Sequence, residues 1–327
     1  MTSSTAPFGS VQGVAAAGTP QQPGAPRPRP RRKKNFAPLW LLTPAGLVLV
    51  TITLAPIVLL VFLSLTNYDQ RSLFTGAFAG VGLRQYTSIF TDPDFWWSLV
   101  RTVGFTIALV AGSVVIGMGM SQLLTRLGTV MRYLVTIVLI VAWAVPTVAS
   151  SLVWDWLFQP GYGVVNWLLT QTHLFGDLTN VNWAQDPRLA YLAIWLLIVW
   201  QAVPFIALTL NAAQTQVPEE YFEAARLDGA SEWGIYWRVT LHFLKPTLLL
   251  VTILSIIWDF NVFNQIWLVS QGGPNNATAT LGVWTYTTAF VGFHLGEGAA
   301  IAVVTTVLLM IFTAYYIRNL VRSGEDL

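Results

Sequence analysis

The 327-residue sequence contains no cysteine and little charge, with Asp, Glu, Lys and Arg together making up 10% of it. Without thiols there can be no disulfides, thiolate metal sites or cysteine nucleophiles, while the redox compartment stays open. So little charge excludes an ordinary water-soluble domain, in which about a quarter of residues are charged. Catalytic signatures are scarce too. The three histidines, His173, His242 and His294, are scattered, and there is no HExxH, no serine in a nucleophile-elbow pattern and no GxxxxGK[ST] phosphate loop. What the chain does have is 54% hydrophobic residues and 15 Trp, the composition of a polytopic membrane protein.

Apolar runs lie near 39 to 65, 97 to 124, 133 to 158, 188 to 213, 246 to 270 and 298 to 317. Each can cross roughly 30 Å of hydrocarbon at about 1.5 Å per helical residue. The expected fold is therefore all-α with about six transmembrane helices, in a membrane domain over 39–327. The first run holds Pro44 and Pro56, is too long for a signal-peptide core and lacks a small-residue cleavage site, so it is expected to remain in the mature protein. Phe95, Trp96 and Trp97 are expected to anchor the second span at the interface. With the N-terminus inside, all Lys and Arg except Arg71, Arg84, Arg101 and Arg188 fall on the cytoplasmic side. Positive-inside bias then makes both termini cytoplasmic and the segments 66 to 95, 160 to 187 and 271 to 297 external. Residues 1–38, rich in Ser, Ala, Gly and Pro and carrying PRPRPRRKK, are expected to be disordered. That basic run reads as contact with anionic lipid or nucleic acid, or simply as a topology anchor; positive-inside bias alone accounts for it.

One strongly charged segment interrupts the apolar pattern, Pro218 to Lys245. Pro218 suits a helix start, and Glu219 and Glu220 sit where the helix dipole favours anions. Gly229 can supply the positive φ that ends that helix. Ser231 can cap a second helix, on which Trp233, Tyr236, Trp237 and Thr240 recur at helical spacing as a face that must pack on something. From composition alone, this helical hairpin could equally lie on the lipid surface or receive a soluble partner.

Glu223, Ala224, Ala225, then Asp228 and Gly229, then Val239 and Leu241, form an ordered string that resembles the EAA loop of ABC importer permeases. The departure is His242, which stands where that family has Pro, with Pro246 four residues on. The segments PAGLVLVTITLAPIVLLVFLSLTNYD, VGLRQYTSIFTDPDFWWSLVRTVGFT, PTVASSLVWDWLFQPGYGVVNWLL, WQAVPF and LVSQGGPNNATATLGVWTYTTAF follow in order. They narrow the resemblance to carbohydrate importers of the maltose and glycerol-phosphate permease type. It covers nearly everything after residue 38 and implies a type I ABC importer permease architecture in the bacterial plasma membrane. It also implies a coupling helix, in loop 215–245, that docks in an ATPase. The implied partners are a homologous second permease, two ATPase copies and an extracytoplasmic sugar-binding protein. No cofactor is expected in this chain, since ATP and Mg would reside on the ATPase. The chain would not itself be an enzyme, and no metal site or nucleic acid is implied.

Two carboxylates lie within spans, Asp155 and Asp259. Asp155 is near the outer end of its span and can reach the interface. Asp259 lies nearer mid-membrane, where an ionisable residue is costly and faces a cavity or a neighbour. Helical spacing places Ser255, Trp258, Asp259 and Val262 on one stripe, with Asn261, Asn264 and Gln265 nearby. An aromatic face beside a carboxylate or amide suits a sugar; packing against a partner permease is the competing reading. The resemblance adds Gln201, Ala202 and Phe205 before the EAA loop as matching substrate positions. Asp259 and Val262 stand where the maltose permease has Asn, so maltose specificity is not implied. No basic residue lies in the interior of the spans, Arg101 and Arg188 standing near their outer ends, which disfavours a phosphorylated substrate and favours a neutral sugar or oligosaccharide. The rival class is an ion-coupled secondary transporter using the two carboxylates, although no internal repeat supports it. The external stretch Gln271 to Asn275 has turn residues and either contacts a binding protein or merely connects spans.

Overall fold

The computed structural model describes residues 37–322. The basic tail, up to residue 36, lies outside them. Two compact units divide the chain, one ending at Thr51 and the other running from Ile52. The described part of the first is helix α1 (Ala37–Leu49), which contains Pro44.

In the second unit, α2 (Ala55–Ser64) leads to two short helices, α3 (Gln70–Thr75) and α4 (Arg84–Thr91). The long α5 (Pro93–Arg126) follows, then α6 (Thr129–Ala144), α7 (Thr147–Leu157) and α8 (Val164–Gln171). After α9 (Pro187–Gln214) come α10 (Glu219–Leu227), α11 (Glu232–Ile235), a five-residue π-turn and α12 (Leu241–Phe260). The chain ends with α13 (Asn264–Ser270), α14 (Leu281–Tyr286) and α15 (Leu295–Arg322). Among the described residues there is no strand, only one antiparallel bridge between Thr66 and Gly80. Among the described residues, five helical stretches are long and apolar enough to span a membrane, or six when a bent pair is counted as one span.

Helix α9 is the centre, packed against α5, α6, α12 and α13. Lipid tails are as apolar as leucine, so helices in a bilayer associate through close packing and hydrogen bonds rather than by escaping water. The sequence of α5 is built for this. Ser98, Thr102, Thr106, Leu109, Ser113, Gly117 and Ser121 are buried at three- and four-residue intervals, a seam of mostly small side chains. Across it, the Trp195 indole donates to the Ala108 carbonyl at 2.9 Å and Asn211 Nδ2 to that of Ser121 at 3.4 Å. Thr102 donates to the Ser98 carbonyl (2.7 Å) and accepts from the Leu281 N–H (2.8 Å), which ties α14 to the same seam. Gly117 matters for its lack of a side chain: a Cβ there would lie 2.6 Å from Ile206 Cγ2. Gly117→Val is expected to cost about 1–3 kcal/mol through overpacking. A lower thermal inactivation temperature of the purified complex would reveal it, with Gly119→Val, which meets open space, as the control.

Two spans differ from the sequence expectation. The run 133 to 158 is not one helix: α6 and α7 meet at a 99° bend. Pro146 has no N–H to continue the ladder and disfavours helical backbone in the residue before it, and Val145 is indeed extended (φ −68°, ψ 125°). The run 246 to 270 is also divided, but in another place. The helix starts at Glu232 inside the charged segment, passes through Pro246 unbroken and stops at Phe260, so that α13 is separate.

The loops between the long helices have internal polar order. Asn166, buried, donates from Nδ2 to the carbonyls of Gln159 and Val181, and its Oδ1 accepts from the Trp183 indole at 2.6 Å. Asp155 accepts from Gln159 Nε2 at 2.9 Å. In the 271–278 turn, Gln271, Gly272, Asn275 and Asn276 all have positive φ, and buried Thr278 bonds to Ser270 Oγ and the Gly273 carbonyl. Asp69 caps α3 by accepting from the Ser72 N–H at 2.9 Å, and Ser72 holds its carboxyl below the usual range.

Candidate functional site

Two places in the second unit carry the residues singled out by sequence. The first is the elbow between α10 and α11. Pro218 sits at the N-cap of α10, with Glu219 and Glu220 in its first turn. The helix ends as glycine permits: Gly229 takes φ +78°, and the Ala230 N–H reaches back to the Ala225 carbonyl at 3.0 Å. Ser231 Oγ then caps α11 by accepting from the Gly234 N–H at 3.2 Å. Arg226 spans the turn, 3.5 Å from Glu219 and 3.3 Å from Glu232. These ion pairs are exposed and contribute little stability individually, but they tie both arms of the elbow to one side chain.

Of the residues expected to contact an ATPase, Glu223, Ala224, Asp228 and Gly229 are exposed and Ala225 is half-buried. Beside them Leu227 is 89% exposed, an apolar side chain with nothing to cover it. The face expected from Trp233, Tyr236, Trp237 and Thr240 divides in two. Tyr236 and Thr240 are buried, whereas Trp233 and Trp237 stay exposed and meet edge to face at 5.5 Å. At the exit, His242 lies on an uninterrupted helix and contacts the Phe243 ring edge-on.

The second place is where the break of the third span meets α9 and the end of α12. Phe205 packs edge-on against Trp258 at 5.3 Å and stacks with Trp143 of α6 at 6.0 Å. Trp143 and Trp258 are each about half exposed, so the three rings form a partly open aromatic platform. Gln201 is engaged with the break, donating from Nε2 to the Val145 carbonyl at 3.3 Å. Such a bond matters in a bilayer, where a carbonyl freed from its helix has no water to turn to.

The other predicted substrate positions separate by face. Ser255, Asp259 and Val262 point inward and are buried, Ala202 is half-buried, and Asn261 is exposed at the C-cap of α12, donating to the Ile257 carbonyl. Asp259 is 7% exposed, and its Oδ2 has no hydrogen-bond partner among the described residues. Trp258 and Asp259 thus share a helix end but not a surface. Trp143 was missed by sequence reading. Its signal was the order Trp143, Ala144, Val145, Pro146: a proline break puts the aromatic on a rim, whereas an unbroken span makes it one more apolar residue. No group of three or more potential metal ligands occurs among the described residues.

Comparison with known proteins bears on the whole of this arrangement. Residues 113–324 match the family described as binding-protein-dependent transport system inner membrane component. The chain is 39% identical over 295 residues to the diacetylchitobiose uptake system permease protein DasB of Streptomyces coelicolor, covering 90% of each. It is 33% identical to the sulfoquinovosyl glycerol transport system permease protein SmoG of Agrobacterium fabrum (85% of this chain, 88% of that one). To the trehalose/maltose transport system permease protein MalF of Thermococcus litoralis it is 34% identical (73% and 79%). Among solved structures, a chain of a bacterial ABC transporter involved in import of the acidic polysaccharide alginate superposes with a TM-score of 0.74 at 16% identity, over 88% of this chain and 97% of that one. The fold is thus shared with that transporter chain, and this chain belongs to the family of binding-protein-dependent transport system inner membrane components.

Proposed function

We infer that this chain is the membrane-spanning permease subunit of an ATP-driven importer for a neutral sugar or oligosaccharide, coupled through loop 215–245 to a separate ATPase. One observation carries the reading: a single uninterrupted helical stretch, Glu232–Phe260, joins the exposed elbow at one end to the aromatic platform at the other. At about 1.5 Å per residue its 29 residues extend about 43 Å. A docking surface for a motor and a candidate sugar position therefore share one rigid element.

The carbohydrate class is supported from two sides. Relatives are named for diacetylchitobiose, sulfoquinovosyl glycerol and trehalose or maltose. The platform offers flat apolar faces of the kind that cover the C–H side of a pyranose ring. Gln201, Ala202, Phe205 and Trp258, with Trp143 added, form the proposed contact surface; Ser255, Asp259, Asn261 and Val262 lie around it on the end of α12 and just beyond. Glu223, Ala224, Ala225, Asp228 and Gly229 form the proposed ATPase contact. The proposed partners are a second permease of the same family, two ATPase subunits carrying ATP and Mg, and an extracytoplasmic sugar-binding protein. The distribution of Lys and Arg supports a cytoplasmic position for both termini.

The test is gentle purification from the native membrane followed by identification of what accompanies the chain. An ATP-binding-cassette subunit and a second permease, together with sugar-stimulated ATP hydrolysis, are the expected result. A chain that purifies alone and transports under an ion gradient would replace this reading with a secondary transporter.

A further inference from the structure

Two adjoining cavities open at the cytoplasmic end of α5. One, of about 450 Å³, is polar and lies behind the elbow, walled by Thr125, Gln214, Glu219 and Arg226 among others. The other, of about 470 Å³, is almost wholly apolar and runs along Val115, Met118, Gly119 and Leu123 towards Trp233 and Trp237. They share a wall of Gln122, Arg126, Glu232 and Tyr236, so that together they make one amphipathic groove with a polar head and an apolar limb.

Three observations specify what would fill it. Arg126 makes no ion pair or hydrogen bond among the described residues, whereas Arg226 across the cavity is already held by Glu219 and Glu232. The groove thus offers one uncommitted cation. Gln214 is 7% exposed and lines the polar head; its Nε2 donates to Gln122 Oε1 at 3.3 Å, while its own Oε1 is buried without a partner. That oxygen calls for a donor. Along the apolar limb a Cβ at Gly119 would meet nothing within 4 Å, so the space is open. Exposed Trp233 and Trp237 flank it, and such rings favour the headgroup level of a bilayer.

We propose that this groove holds a glycerophospholipid of the cytoplasmic leaflet, its phosphate on Arg126, its headgroup hydroxyl or ammonium donating to Gln214, and an acyl chain along Gly119. A phosphate is the anion that a lone guanidinium pairs with most strongly in this setting, and only a lipid combines it with a chain to fill the limb. Because the head of the groove is the back wall of the elbow, an occupied groove braces α10 and α11 against α5. The lipid becomes part of the surface that receives the motor.

The test uses the whole assembled transporter, exchanged into detergent and analysed for retained lipid by native mass spectrometry and extraction. Phosphatidylglycerol or phosphatidylethanolamine is expected to stay bound in preference to phosphatidylcholine, whose headgroup has no donor. Arg126→Gln, at the exposed end of α5, is expected to lower retention about tenfold, the size of a lost charge-assisted bond, and Gly119→Phe is expected to lower it by a similar factor by filling the space of the acyl chain. Equal retention in wild type and both variants would overturn the proposal. So would efficient cross-linking of Gly119→Cys, in this otherwise cysteine-free chain, to a neighbouring permease, since a protein helix would then occupy the limb. Neither readout depends on the transported substrate.

Discussion

Gly229→Val is expected to leave the protein inserted and assembled while reducing substrate uptake and substrate-stimulated ATP hydrolysis at least about tenfold. The cause is backbone rather than crowding. A Cβ at Gly229 meets nothing within 4 Å, but its φ of +78° is one that L-residues rarely adopt. Left-handed backbone costs an ordinary side chain about 1–2 kcal/mol, and a β-branched one more. A penalty of that size shifts the population of the turn by roughly five- to thirtyfold. The reverse turn that closes α10, from the Ala230 N–H to the Ala225 carbonyl, would open, and Glu223, Ala224 and Asp228 would lose their fixed angle to the span behind them. Gly229→Asn is the sharper control, because asparagine tolerates the left-handed region, and it is expected to retain most activity. Uptake and ATPase assays on reconstituted transporter check both variants. Full coupling in Gly229→Val would show that the turn does not set the docking angle.

Asp259→Ala is expected to have opposite effects on stability and on transport. A buried carboxylate oxygen without a partner is a standing cost to the folded chain, and Oδ2 of Asp259 is in that position. Its removal is expected to leave the thermal inactivation temperature unchanged or raise it. Uptake is expected to need about tenfold more sugar, equivalent to about 1.4 kcal/mol, because a sugar hydroxyl would supply the donor that this inward-facing acceptor lacks. Asp259→Asn, which keeps an acceptor at the same reach, is expected to recover part of the loss. Concentration-dependent uptake and a thermal melt of the same preparations separate the outcomes. Unchanged uptake with raised stability would mean that Asp259 faces the rest of the bundle and not the substrate.

Much of this architecture could be read from sequence because its causes are local. Hydrophobic run length located the spans, and Gly229 and Ser231 marked the ends of their helices through backbone chemistry that acts over four residues. The resemblance carried by Glu223 to Leu241 supplied the family. Two features were not legible, for different reasons. At Val145–Pro146 the apolar run continues without interruption, so run length concealed the 99° bend that lies there. At Pro246 the opposite held: a proline expected near the boundary of a span lies inside a helix that began fourteen residues earlier. Proline restricts backbone locally, but whether the chain bends is decided by what packs around it. The candidate substrate residues show a related limit. Spacing placed Ser255, Trp258 and Asp259 on one stripe, yet a stripe has edges: the ring at one edge is half exposed while the carboxylate beside it is buried.

The helix from Glu232 to Phe260 also has a geometric consequence. Held at the elbow, it would behave as a lever with Trp258 near its far end. For a rod of about 43 Å, a tilt of only about 10° displaces the far tip by about 7 Å, more than the 5.3 Å that separates the rings of Trp258 and Phe205. A motor that moves the elbow through a small angle would therefore part the aromatic platform completely. The stroke of such a machine would scale with the length of one helix, and shortening it by a turn should reduce that stroke in proportion.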